Sequence, residues 1–390
     1  MDMFKDPCLR LTILAVALLA GCGSGSGSTG TGGGGGTTPQ AAAPAVSTST
    51  SNGAQNGAVI VSLATTTQGA TIYYTLDGST PTTLSPIYEA PFLVGASTAT
   101  TLNAMATASG DTNSAVTSKT FAAVPSGTLV WSDEFQNSTS TNAQPNPATW
   151  TYDTGTDCCG NNELETYCAW GSTTGPCSTS TPNAFVAPGG GLNIVALNPS
   201  ASVYTSGRLK SQGLFSFQYG RIEAKMLLPE SQGYWPAFWM LGNSITTVNW
   251  PACGELDIME HIDGSNPPPY AGGTPEGHDW IAGSVHGGSS SGSEENGTQQ
   301  YTASGFLASG WHTYGMIWTK GEIQYYVDGN TYATFKSTDS AWSPTPWPFD
   351  SGPEFIILNL AVGGDWPGSP NATTVFPGNM QVGYVRIWAN

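Results

Sequence analysis

Glu322-Ile323-Gln324-Tyr325-Tyr326-Val327 leads directly into Asp328-Gly329, and the segment Thr331 to Phe335 returns. A short apolar-polar alternation, a turn dipeptide and a second such run make a β-hairpin. The same reading extends outward. Phe355 to Val362 is a mostly apolar run of strand length, as expected for a strand buried on both faces. No stretch between residues 128 and 390 sustains a 3.6-residue period. An all-β sandwich in jelly-roll style is therefore expected over 128–390.

Composition agrees with this reading. Only 9% of the 390 residues are charged, too few for the polar faces of exposed amphipathic helices. An apolar fraction of 39%, with 13 Trp, 15 Tyr and 13 Phe, is enough to bury a core. Ten Lys plus Arg against 27 Asp plus Glu give a net charge of -17, which repels nucleic acid and acidic lipid surfaces.

Ahead of this region the composition changes. The first Trp is Trp131, and between residues 23 and 127 the charged side chains are Asp77, Glu89, Asp111 and Lys119. Two differently built domains are expected, with a boundary near Pro125-Ser126-Gly127. In the first, about 44–123, Ile72, Tyr74 and Leu76 alternate with Thr71, Tyr73 and Thr75 before the turn Asp77-Gly78. Leu102, Ala104 and Ala106 repeat the alternation. The segment Gly69 to Thr82 with the later strand resembles the small immunoglobulin-like domain at the carboxyl end of chitobiases and β-hexosaminidases. Such a module either spaces or binds sugar.

The extreme amino terminus reads as an export signal. Lys5 and Arg10 precede the apolar run Leu11 to Ala20, which is too short for a membrane-spanning helix. Leu19-Ala20-Gly21-Cys22 looks like a bacterial lipoprotein box, so residues 1–22 form the signal and Cys22 takes the lipid. Residues 23–43, rich in Gly, Thr and Pro, form a flexible tether with a reach of roughly 25 Å. An exported protein attached to a bacterial membrane only through its lipid is expected.

The chemistry concentrates in Gly254-Glu255-Leu256-Asp257-Ile258-Met259-Glu260, three carboxyls in six residues. On a regular strand Glu255 and Asp257 share a face, whereas Glu260 points the other way. One extra residue in a β-bulge at Ile258-Met259 returns Glu260 to the acid face. Two carboxyls facing a cleft can hydrolyse a glycosidic bond, one as acid and the other as nucleophile or base. Neighbouring negative charge and desolvation keep the acid protonated. Metal is not expected here, since no His pair accompanies the acids. Aromatic residues gather around this cluster: Gly233-Tyr234-Trp235-Pro236-Ala237-Phe238-Trp239 places two indoles on one strand face, Trp250-Pro251 precedes the acids, and Trp366 follows. Indole faces stack on the C–H faces of neutral pyranose rings.

Taken in order, these segments resemble a known family. Trp131-Ser132-Asp133-Glu134-Phe135, Asn161-Asn162-Glu163, Thr205 to Arg208, Tyr219 to Glu223, the Trp235 segment and Gly254 to Glu260 are followed by Gly283-Ser284-Val285-His286, Trp347-Pro348-Phe349, Asn359 to Gly364 and Tyr384-Val385-Arg386. The series is similar to glycoside hydrolase family 16, in its bacterial laminarinase branch. The resemblance implies a β-jelly roll with a concave cleft, cleaving internal β-1,3-glucosidic bonds with retention. Glu255 would be the nucleophile, Glu260 the acid/base and Asp257 the assisting carboxylate. Trp235, Trp239 and Trp250 would serve the sugar site, with Arg208, Asn161 and His286 as polar contacts. The acid motif lengthened by Met259 accompanies laminarinases, agarases and carrageenases, and the Trp-Pro-Ala-Phe-Trp segment favours laminarin-type glucans. An agarase-like or mixed-linkage glucanase and a non-catalytic glucan-binding protein are the alternatives.

Two positions depart from the family pattern. Gly383 stands where members carry an Asp that helps hold a structural calcium, so no cofactor is expected. Cys158-Cys159 interrupts the Asn-Asn-Glu loop. Five cysteines beyond Cys22 cannot all pair internally. Cys168–Cys177 is the first expected disulfide, and Cys253 a buried free thiol. The expected partner is a neutral polysaccharide, met by a monomer.

Overall fold

The computed structural model describes residues 38–156, 160–263, 279–289, 294–303, 305 and 310–390. The export signal, Cys22, most of the tether and Cys158-Cys159 lie outside the described residues. The region beyond residue 128 is a two-layer β-sandwich of jelly-roll type. One sheet runs Glu294–Thr302, Trp280–Gly288, Glu255–Glu260, Tyr234–Gly242, Glu354–Val362, Arg208–Lys210 and Thr151–Tyr152. The second is built around His312–Thr319, Gly220–Leu227, Gly378–Trp388 and Leu192–Ser200.

Alternation assigns the faces. All nine residues of Glu354–Val362 are buried. Ile356, Leu358, Leu360 and Val362 enter the core between the sheets, and Phe355 and Ile357 pack on the opposite face beside Ala237 and Trp239. A strand covered on both faces needs no polar side, hence its continuous apolar run. The hairpin forms as read: Glu322–Val327 pairs with Asn330–Lys336. Asp328 and Gly329 have φ of 48° and 78°, the pair of positive values a type I′ turn requires. Among the described residues the only α-helix is the four-residue Ile245–Val248.

The amino-terminal module is two three-stranded sheets closed over Ile72, Tyr74, Leu102, Ala104 and Ala106. The compositional boundary is not a gap in the packing. Ala54, Ala58, Ile60, Leu93 and Val124 join one continuous core with Val130, Trp131 and Phe215. The Trp131 Nε1–H donates to the Asn52 carbonyl at 2.6 Å, and the ring stacks on Phe215 at 4.5 Å. Gly53, at φ 92°, lets the module reach this close; a Cβ there would lie 2.4 Å from the Ser132 carbonyl oxygen.

Candidate active site

The acid-bearing strand pairs Asp257 with Trp239 and Glu260 with Ala237, so Ile258 and Met259 together oppose only Phe238. On its other side Asp257 faces Ser284 and Glu260 faces Ala282, again with one residue between. This is a β-bulge at the two consecutive apolar residues. Leu256, Ile258 and Met259 all enter the inter-sheet core, each no more than 1% exposed. Glu255, Asp257 and Glu260 consequently line one cleft on the outer face.

Each terminal carboxyl takes an indole donor. Trp250 Nε1–H donates to Glu255 Oε2 and Trp235 Nε1–H to Glu260 Oε1, both at 3.0 Å. Between them, His286 spans Asp257 and Glu294, with its Nε2 3.1 Å and its Nδ1 2.7 Å from their carboxylate oxygens. Burial opposes charge on this imidazole, but the hydrogen bonds it donates to both carboxylates prevail and push its pKa well up. Burial, then the charge of Asp257, pushes Glu255 up to about 8, against the opposing pull of His286, Arg208 and the Trp250 hydrogen bond. Burial and Asp257 also push Glu260 well above the usual carboxylate range, and Glu255 adds to that rise. Of the two, Glu260 is the better proton reservoir, while Glu255 has more groups stabilising its anion.

Strands to the other side complete the floor. Trp239 donates its indole N–H to Asn359 Oδ1 at 2.8 Å, and Arg208 lies over its ring at 4.8 Å. The Arg208 Nε is 3.0 Å from Asp153 Oδ2, which fixes the guanidinium in place. Asn161, in a left-handed turn at φ 53°, also lines the cleft, and its carbonyl accepts the backbone N–H of Asp365 at 2.8 Å. Thus Asn161, Arg208, Trp235, Trp239 and the three acids come together. His286 and Trp250 stand beside this group, touching Asp257 and Glu255 respectively.

Sequence reasoning gave no role to Glu163 and Asn359, which line the cleft as well. Tyr167 joins them, donating its hydroxyl to Glu163 at 3.0 Å and lying 3.4 Å from the Asn359 amide. Both residues stood within quoted motifs, and the only usable signal was their place beside Asn161 and opposite Arg208 in the sheet.

Glu255, Asp257 and His286 lie close enough to hold a metal ion. Both nitrogens of this imidazole already face carboxylates, leaving no lone pair for a metal. At the calcium position the residues do not fit a cation: Arg386 donates to both oxygens of Glu134, at 2.8 and 2.9 Å, and Gly383 has no side chain. Cys168 and Cys177 are joined, and Cys253 is buried and unpaired.

Comparison with known proteins places this arrangement. The model of "Glycosyl hydrolases family 16" matches residues 176–386, and that of "Chitobiase/beta-hexosaminidase C-terminal domain" matches residues 50–118. A "Beta-glucanase" of Rhodothermus marinus is 36% identical over 68% of this chain and 86% of its own length. A "Glucan endo-1,3-beta-glucosidase A1" of Niallia circulans is 33% identical over 67% of this chain, which spans only 37% of that protein. The catalytic domain of an endo-1,3-beta-glucanase (laminarinase) from Thermotoga petrophila RKU-1 is 34% identical, covering 67% of this chain and 98% of its own, with a TM-score of 0.55. With more than half its length matched by the family model and its acids gathered in one cleft, the chain belongs to glycosyl hydrolases family 16.

Proposed function

We propose that this chain is an exported endo-β-1,3-glucanase that hydrolyses laminarin-type glucans by double displacement, with retention of configuration. The observation that carries this reading is the bulge that brings Glu255 and Glu260 to one cleft face in unequal electrostatic settings. Glu260 gives its proton to the glycosidic oxygen while the Glu255 carboxylate attacks the anomeric carbon. The bond to the leaving sugar breaks and a glycosyl ester forms. The Glu260 carboxylate then takes a proton from water, whose oxygen displaces Glu255 and releases the product. Asp257, tied to His286, stands beside the nucleophile on the same strand face and holds its orientation. Trp235 and Trp239 offer stacking surfaces, and Arg208 and Asn161 offer hydrogen bonds to sugar hydroxyls.

Nothing in this sequence of steps calls for a metal or cofactor. The β-1,3 preference is supported by the lengthened acid motif and by the activities named for the relatives from Niallia and Thermotoga. A monomer contains every residue of the site. Export, with a lipid on Cys22, is supported by the leader sequence and by the Cys168–Cys177 disulfide, a bond that persists in oxidising compartments.

The test is a substrate panel of laminarin, lichenan, agarose and xyloglucan, with proton NMR of the first-formed products. Oligosaccharides released from laminarin as the β anomer are expected. An α product would remove the double displacement, and turnover of agarose alone would move the substrate to a galactan.

A further inference from the structure

The amino-terminal module touches the same loop that supplies the Glu255 hydrogen bond. We propose that this module braces the segment 243–250 and so positions Trp250 against Glu255, making it a working part of the catalytic site. The proposal rests on the functional reading above.

Within the segment the holds are the backbone bonds of Thr247 and Val248 to the Ser244 carbonyl and of Cys253 to that of Asn249, with Ile245 packed on the cluster of Ala237, Trp239, Phe355 and Ile357. It leaves the sheet at Gly242, turns through the helix Ile245–Val248 and re-enters at Gly254. A four-residue helix is far below the length that is stable alone. None of its residues is buried, and Ser244 gives it no side-chain cap. Further anchors come from the catalytic domain, where the Asn243 N–H donates to the Pro353 carbonyl at 3.0 Å, and from the module. The hydroxyl of Thr246 donates to the carboxylate of Glu89, and that of Thr247 lies 3.0 Å from both of its acceptors, Glu89 Oε1 and the Ser244 carbonyl. At the start of the segment Asn243 donates its side-chain amide to Ser216 Oγ at 2.9 Å. Ser216 is itself fixed by the module, donating its hydroxyl to the Pro91 carbonyl at 3.0 Å and accepting the Leu93 N–H at 2.9 Å. Glu89, Pro91 and Leu93 belong to one short stretch of the module, so its two attachments move as one.

The platform is firm because the two domains share one hydrophobic core around Trp131. Two residues past the helix, Trp250 Nε1–H reaches Glu255 Oε2 at 3.0 Å. A hydrogen bond of that length is lost when its partners part by well under 1 Å. Glu89 and Ser216 touch no part of the cleft lining, so they act through Trp250 as positioning residues.

The experiment compares full-length Glu89→Ala, Glu89→Gln and the double variant Thr246→Val/Thr247→Val. Each is assayed on laminarin for kcat and KM, and by hydrogen exchange over residues 243–250 without substrate. The Ala and Val variants should lose about three- to tenfold in kcat with KM little changed, and exchange in the segment should quicken. Glu89→Gln should recover most of the rate, because its amide oxygen accepts from one threonine and its amide N–H donates to the hydroxyl oxygen of the other. The double variant reaches the contact from the catalytic side, so a misfolded module in Glu89→Ala does not decide the matter. Unchanged exchange, or faster exchange with unchanged kcat, would overturn the proposal. Wild-type turnover of laminarin is the separate control for the functional reading, whereas the exchange result judges the brace by itself.

Discussion

The two ends of the strand Glu255–Glu260 are built alike and held differently. Each ends in a carboxyl, buried at Glu255 and part-exposed at Glu260, that accepts one indole N–H at 3.0 Å. Trp235 stands on the adjacent strand, held in unbroken register against Ala361 of Glu354–Val362. Trp250 stands on an excursion outside the sheet, braced from the module. Charge is also divided unequally. Arg208 and His286 both pull down the pKa of Glu255, whereas of these two cations Glu260 has His286 alone. Placement on one strand makes the carboxyls neighbours, but their surroundings decide which one keeps a proton.

The hardest blow to this comparison would be dealt by Glu255→Gln, expected to lower kcat on laminarin by roughly three to five orders of magnitude. Glu260→Gln should cost about 10²- to 10⁴-fold on laminarin, and much less on an aryl glucoside whose leaving group needs no proton. Equal losses on both substrates would exchange the roles assigned to the two ends. Trp250→Phe and Trp235→Phe each remove a charge-assisted donor, so each should lose about tenfold or more. Their pH profiles should differ in kind. Activity rises as Glu255 ionises, so losing the Trp250 hydrogen bond raises that pKa and moves the acid limb to higher pH. It falls as Glu260 ionises, so losing the Trp235 hydrogen bond moves the alkaline limb upward instead. His286→Ala removes a cation that lowers both pKa values, and both limbs should move upward together.

The smallest expected effect concerns Glu354, another buried carboxyl, at the start of Glu354–Val362 and one strand beyond Tyr234–Gly242 from the acids. Burial first, then Glu255 and Asp257, pushes its pKa well up. A folded-state pKa above the unfolded one means stability that is full below the ordinary Glu value and lost as pH rises through the higher one. In thermal melts across neutral and alkaline pH, Glu354→Gln should therefore show a shallower loss of Tm than the wild type.

Much of this was legible in the sequence because it rests on side-chain period. The hairpin at Asp328-Gly329, the doubly buried Phe355–Val362 run and the bulge at Ile258-Met259 all follow from counting residues. The ordered motifs carried Arg208, Asn161 and both cleft indoles. Other features left no such mark. The register pairs His286 with Glu255 and turns its ring to Asp257, a detail that depends on where Glu294 returns. Docking of the module depends on Asn52, Gly53, Ala54 and backbone hydrogen bonds such as Ser132 N–H to the Gly53 carbonyl. Main-chain contacts of that kind are open to almost any sequence, so composition showed only the change of domain.

The extra residue between Asp257 and Glu260 has a wider meaning. In most strands length is forgiving and chemistry lies in residue identity, but here the count itself is functional. Deleting Met259 would remove the bulge and leave Glu-Leu-Asp-Ile-Glu, whose plain alternation keeps all three carboxyls on the cleft face, whereas one residue added or lost between Glu255 and Asp257 would turn one of those two into the hydrophobic layer. The strand can therefore absorb substitutions at Leu256 or Ile258 far more readily than a change in length between Glu255 and Asp257. A variant library that samples gaps would encounter a sharp edge there that one sampling only substitutions would never find.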